Sequence, residues 1–213
     1  MALGHNSLEY RAFIEALRKG QLGAVEQHLV EHPEFLDLAD DWGYKPLHWA
    51  AMIGRVSMVE LLLRHGSTSF DSSDNSGKTP LHYAAMLGGH NSTVELLLRH
   101  DSTALDSTDN NGATPLHLAA QYGLDLTVEL LLRHGSTSLN SPDRKGWTPL
   151  HYAARNGCNS TVKILKAVGA NTLPFSLLSP GQIEKLQQPI PADEILAIRS
   201  RIYFNRSLLS NLL

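Results

Sequence analysis

The chain has 213 residues, of which 42% are hydrophobic and 18% charged, and its 18 basic and 21 acidic residues leave a net charge of -3. This is the composition of an ordinary folded chain, and without a basic excess or stripe it argues against a nucleic-acid binder. Cys158 is the one cysteine, which excludes an intrachain disulfide framework and suits a reducing compartment. Residues 1–6 carry neither a basic patch before an apolar run nor Gly after the initiator Met, so neither a secretory signal nor a myristoyl anchor is expected. Apolar runs are far shorter than the ~20 residues of a membrane span. With no secretory route, the sequons at Asn91, Asn159 and Asn205 are expected to go unused.

From residue 45 onward one phrase recurs: Lys45-Pro46-Leu47-His48, Thr79-Pro80-Leu81-His82, Thr114-Pro115-Leu116-His117 and Thr148-Pro149-Leu150-His151. The prolines are 34, 35 and 34 residues apart, a period that marks stacked repeats. In the third copy, Asp109-Asn110-Asn111-Gly112 is turn chemistry. Thr114 is placed to cap a helix with Pro115 at its first position, small Ala119 and Ala120 allow close helix approach, and Gly123 ends the helix in a left-handed conformation. A second helix carries Leu126, Val128, Leu130, Leu131 and Leu132, a stripe too apolar for a free surface helix. Arg133-His134-Gly135 closes it with cations at the negative helix terminus. One unit is therefore turn, short helix, tight loop and longer helix, and units must stack to bury their apolar faces.

After Asn171 the phrase stops. Ser179-Pro180-Gly181-Gln182 reads as a capping box opening a helix over about 180–187. Pro189-Ile190-Pro191 interrupts the chain, and a second helix starts near Asp193, carrying Ile195, Leu196, Ile198, Ile202 and Tyr203 before the apolar end at Leu208, Leu209, Leu212 and Leu213.

These motifs resemble the ankyrin repeat, in the segments Asp74–Leu98, Asp109–Leu132 and Asp143–Leu165 and, with Lys45 in place of Thr, Asp40–Leu63. A half unit also fits, with Phe13, Ile14, Ala16 and Leu17 before Gly20 and then Val25 and Leu29. The resemblance implies an all-α ankyrin-repeat solenoid with short β-hairpin-like finger loops: an N-terminal capping unit over 1–39, four repeats over 40–171 and a helical C-terminal segment over 172–213. Two departures stand out. The family period is 33, so each loop between units holds an extra residue. Gly88-Gly89 lengthens one helix–helix loop, and Asp101 stands where Gly66 and Gly135 end the neighbouring helices, predicting a bulged loop and an unfavourable helix end.

The resemblance makes His48, His82, His117 and His151 structural hydrogen-bonding residues. One per stacked unit, they lie too far apart to share a zinc ion with bonds of ~2 Å. His65, His100 and His134 read as helix C-terminal caps, and Cys158 as an inert thiol. No nucleophile elbow, phosphate-cradling loop, Cys-x-x-Cys or His-Glu-x-x-His motif is present, so no catalytic residue, metal or cofactor is expected. What remains is protein binding, on the variable finger-tip and first-helix positions of the concave face that the resemblance implies: Trp42, Tyr44, Lys78, Arg144, Lys145 and Trp147 at tips, and Met52, Ile53, Met86, Leu87, Gln121, Tyr122 and Arg155 on first helices. Trp42, Tyr44 and Trp147 are bulky aromatics where turns favour small polar residues, and adaptable methionines suit an interface. Packing of the same side chains against neighbouring fingers or the end segments is the alternative. The chain is expected to be a monomeric, intracellular adaptor without membrane insertion. Its tail either caps the last repeat or docks a second protein, as in a ubiquitin-ligase adaptor or a microbial effector delivered into host cells.

Overall fold

Twelve α-helices and two 3-10 turns make up the secondary structure of the computed structural model among its described residues, 7–171 and 178–209. Residues 1–6, the side chain of Asn205, the side chains of Leu208 and Leu209, and Leu212 and Leu213 lie outside that description. The chain divides into two compact units, residues 1–110 and 111–213.

In unit 1 the helices come in pairs: α1 (Leu8–Lys19) with α2 (Leu22–Glu31), α3 (Pro46–Ile53) with α4 (Val56–Arg64), and α5 (Pro80–Met86) with α6 (Asn91–His100). Inner helices α1, α3 and α5 pack in one row, and outer helices α2, α4 and α6 in a second. The half unit folds as the residues imply, with Phe13, Leu17, Val25 and Leu29 buried. Tyr10 and Phe35 join that cluster at 5.2 Å between ring centres.

Every inner helix of the repeats begins with Pro at its first position, and the histidine three residues after the cap completes a reciprocal bond. The backbone N–H of Thr79, Thr114 and Thr148 donates to Nδ1 of His82, His117 and His151 at 3.1–3.2 Å. Lys45 offers no accepting side chain, yet its N–H makes the same bond to His48. An Nδ1 that accepts must be unprotonated, so the proton sits on Nε2. From there His48 donates to the Lys78 carbonyl at 3.1 Å and His117 to the Trp147 carbonyl at 3.0 Å. Burial pushes the His48 imidazole below its usual range, against the opposing pull of that carbonyl and of Asp74.

The fingers contain no β-strand among the described residues, but each tip closes like a hairpin. Asp40, Asp74 and Asp143 donate their N–H to the carbonyls of Tyr44, Lys78 and Trp147. Their carboxylates accept from two backbone N–H groups each at 2.8–3.0 Å. Gly77 turns the tip at φ +79°, and a Cβ there would stand 2.6 Å from the Asn110 amide nitrogen; this explains glycine at that point. The extra residue of the 34–35-residue period is taken up after the outer helix by a short turn, seen as the 3-10 turn Ser138–Asn140 in unit 2.

The expected defect at Asp101 is absent. Asp101 is extended at φ -155°, and its carboxylate accepts the Thr103 N–H at 2.7 Å. Aspartate thus stops α6 without the left-handed residue that glycine supplies elsewhere. The Gly88-Gly89 loop does turn through Gly89 at φ +87°.

Unit 2 pairs inner helices α7 (Pro115–Gln121) and α9 (Pro149–Arg155) with outer helices α8 (Asp125–Arg133) and α10 (Asn159–Ala167). Two further helices complete it: α11 (Pro180–Gln187) packs on α9, while α12 (Ala192–Leu209) lies against α8 and α10. Ser179 and Gln182 form the capping box expected for α11.

Candidate functional site

Repeats of this design leave two surfaces in unit 1 for a ligand: the finger tips with the inner helices, and the outer helices. At the tips, Trp42 is 65% exposed. It borders a groove of about 350 Å³ whose wall includes Tyr10, Ile14, Arg18, Asp40 and Trp49. The Arg18 guanidinium lies 5.3 Å from the Trp49 ring centre, a cation–π geometry. The Trp49 indole N–H donates to Asp40 at 3.3 Å. The groove thus sets three aromatic rings and Ile14 among charged side chains of both signs, with Arg11 and Arg18 facing Glu15, Asp40 and Asp41 in its wall.

The other predicted residues divide sharply. Met52, Ile53 and Met86 on the inner helices of unit 1, and Leu87 just past the end of α5, are half-buried, and Tyr44 is half-buried against Trp49 at 5.2 Å and Tyr83 at 5.6 Å. Lys78 is not an idle tip: its ammonium lies 3.2 Å from the buried Asp109 carboxylate. In unit 2, Tyr122, Arg144, Lys145 and Arg155 are exposed and Gln121 is half-buried. Trp147 departs from expectation, being only 8% exposed. Tyr152 meets it edge-on at 5.2 Å and the Arg155 guanidinium covers its face at 4.6 Å. For Trp147 the packing alternative describes the side chain, because a ring sandwiched this way has no free face.

Asn75 and Asn110 look like variable tips but are structural. Asn75 donates from its side chain to the Asp41 carbonyl and from its backbone to Trp42, and Asn110 repeats both bonds to Asn75 and Ser76, all at 2.9–3.0 Å. Their recurrence directly after Asp74 and Asp109 was the available signal, since a residue repeated in phase serves the scaffold. Asp74 receives the Tyr83 hydroxyl at 2.5 Å. Burial alone would raise its carboxyl, but the bonds from Tyr83, Lys78 and Ser76 outweigh it and hold Asp74 below the usual range. Burial and the nearby Asp125 raise the Cys158 thiol, which is the opposite of activation. Among the described residues no three His, Cys, Asp or Glu side chains converge to hold a metal ion.

On the outer row, Val-Glu-Leu-Leu-Leu-Arg-His occurs three times, at 59–65, 94–100 and 128–134. In α8 every residue from Thr127 to Leu132 is buried, which requires cover on both sides of the helix. That cover is α12: Arg201 forms a two-nitrogen bridge to Glu129, with contacts of 2.7 and 3.1 Å, and Ile198 and Ile202 are buried. The fourth outer helix reads Val162-Lys163-Ile164-Leu165-Lys166, and its two lysines serve the tail. Lys163 meets Glu194 at 2.9 Å, and Lys166 caps the Leu186 and Gln188 carbonyls.

Repeated turns, Pro-initiated helices and His-bonded caps at a common phase are one unit built several times, and residues 13–106 and 89–173 match the family model described as ankyrin repeats (3 copies). The chain belongs to the ankyrin-repeat family. It is also 41% identical over 56 residues to the mouse (Mus musculus) protein named 2-5A-dependent ribonuclease, a match that covers 26% of this chain and 8% of that enzyme. The likeness lies in the ankyrin region, so the chain shares a small repeat-containing part of that protein. Ankyrin repeats are protein-interaction modules and the family is generally non-catalytic. No helix among the described residues is long and apolar enough to cross a membrane.

Proposed function

We propose that this ankyrin-repeat chain is a non-enzymatic, monomeric, intracellular adaptor that binds a protein partner across the finger tips and inner helices of unit 1. The observation that carries this reading is Trp42, two-thirds exposed at the rim of the groove lined by Ile14, Arg18 and Trp49. A large apolar side chain exposed at a tip, beside half-buried Met52, Ile53, Met86 and Leu87, has the character of an interface anchor. Tyr44 and Lys78 hold the fingers in place, and the exposed Tyr122, Arg144, Lys145 and Arg155 give unit 2 a polar, cationic surface. The tail acts as a cap: Leu178, Leu186, Ile198 and Ile202 are buried, while Leu196 and Tyr203 of the same segment stay exposed. The reading involves no nucleic acid, metal or cofactor.

Selection of a displayed peptide library on the full chain tests it without knowledge of the partner. Selected ligands should bind Trp42→Ala and Met52→Ala at least tenfold more weakly than the wild type, and Tyr122→Ala nearly as well. Ligands indifferent to Trp42 and Met52 would contradict the proposal.

A further inference from the structure

On α4 of unit 1 the same heptapeptide that α12 covers in unit 2 stands uncovered among the described residues. Glu60, the counterpart of Glu129, is exposed, and Leu63, the counterpart of buried Leu132, is half-exposed. Around them lies a groove of about 520 Å³ whose wall includes Leu22 and Glu26 from α2, Glu60 and Leu63 from α4, and Leu96 from α6. Arg64 and His100 border it as well, and the His100 ring is stacked on Phe70 at 6.2 Å.

We propose that this groove docks an amphipathic helix of a partner protein, held as α8 holds α12. The chain's own precedent sets the chemistry of the occupant. On unit 2 the seated helix presents an arginine to the glutamate of the heptapeptide and two isoleucines, 198 and 202, to the apolar floor. Seven residues before that arginine, Glu194 meets Lys163 on the neighbouring outer helix. The position of Lys163 is filled in α6 by Glu95, so the like-charged α12 of a second copy is repelled there. The fitting occupant therefore carries Lys or Arg at positions i and i+7 and aliphatic residues at i+4 and i+8. That is the spacing of a helix-in-groove ligand, and the surface is distinct from the tip groove of unit 1.

The test uses a labelled synthetic peptide of residues 190–209 carrying Glu194→Lys, titrated against the full chain by fluorescence anisotropy. Saturable binding is expected, at least tenfold tighter than that of the unmodified peptide. Glu60→Lys in the protein, with an unchanged far-UV circular dichroism spectrum, should weaken it at least tenfold. A peptide that also carries Arg201→Glu should regain affinity for that variant. Equal binding of both peptides, binding unaffected by Glu60→Lys, or no saturation would each overturn the proposal. Binding that responds to Glu129→Lys instead of Glu60→Lys would mean exchange with the resident α12, and would overturn it too.

Discussion

Two copies of one heptapeptide, Val59–His65 in unit 1 and Val128–His134 in unit 2, meet different fates. Glu129 is 5% exposed beneath α12, while Glu60 is exposed at the edge of an open groove. Identical side chains on equivalent helices therefore do not make equivalent surfaces; what differs is the cover that the tail supplies. The cover comes with its own adaptations, Lys163 and Lys166, where the fourth outer helix abandons the heptapeptide. In repeat proteins end units need special faces, and here the specialisation extends to the outer side of the last two helix pairs.

The contrast can be broken at several strengths. Ile202→Ala empties a fully buried site under α12 and is expected to destabilise unit 2 by about 2–5 kcal/mol, read from denaturant unfolding. Leu63→Ala, at the half-exposed counterpart of Leu132, should cost clearly less. Glu129→Ala removes a two-nitrogen guanidinium bridge and should cost about 1 kcal/mol, moderated because the Arg201 side chain is 54% exposed. Glu60→Ala should stay within about 0.5 kcal/mol of wild type. Equal losses for the two glutamates would erase the distinction between the faces.

Acid acts on the scaffold. The His48 imidazole is held below its unfolded value, so the unfolded chain binds the proton more readily. The stability tied to neutral His48 is fully present above its unfolded pKa of about 6.5 and is lost as pH falls below it. Mild acid should therefore lower the unfolding midpoint of unit 1, and His48→Gln should flatten that dependence. The smallest effect is expected at the end of α6. Asp101→Gly removes the bond to Thr103 and should cost up to about 0.5 kcal/mol, whereas a gain in stability would show that the extended Asp101 is a poor helix end.

Much of this was legible in the sequence. Phase-locked Pro, His and Gly residues mark the helix starts and turns because those roles depend on local geometry, and α11 and the first turn of α12 follow from Ser179, Gln182 and the proline break. Residues whose fate depends on distant chain were not legible. Trp147 reads as an exposed aromatic tip until Arg155 and Tyr152 close over it. Lys78 reads as a free cation until Asp109 is brought beside it. The partner of Glu129 is Arg201, 72 residues away, and only the lysines of the fourth outer helix hint that something charged lies across it.

Carboxyl footprinting of the full chain, with carbodiimide coupling read residue by residue by mass spectrometry, addresses the difference between the two faces directly. Glu60 should label rapidly and Glu129 should be protected, with Arg201→Ala raising labelling at Glu129 alone. Equal labelling of Glu60 and Glu129 in the wild-type protein would contradict the account.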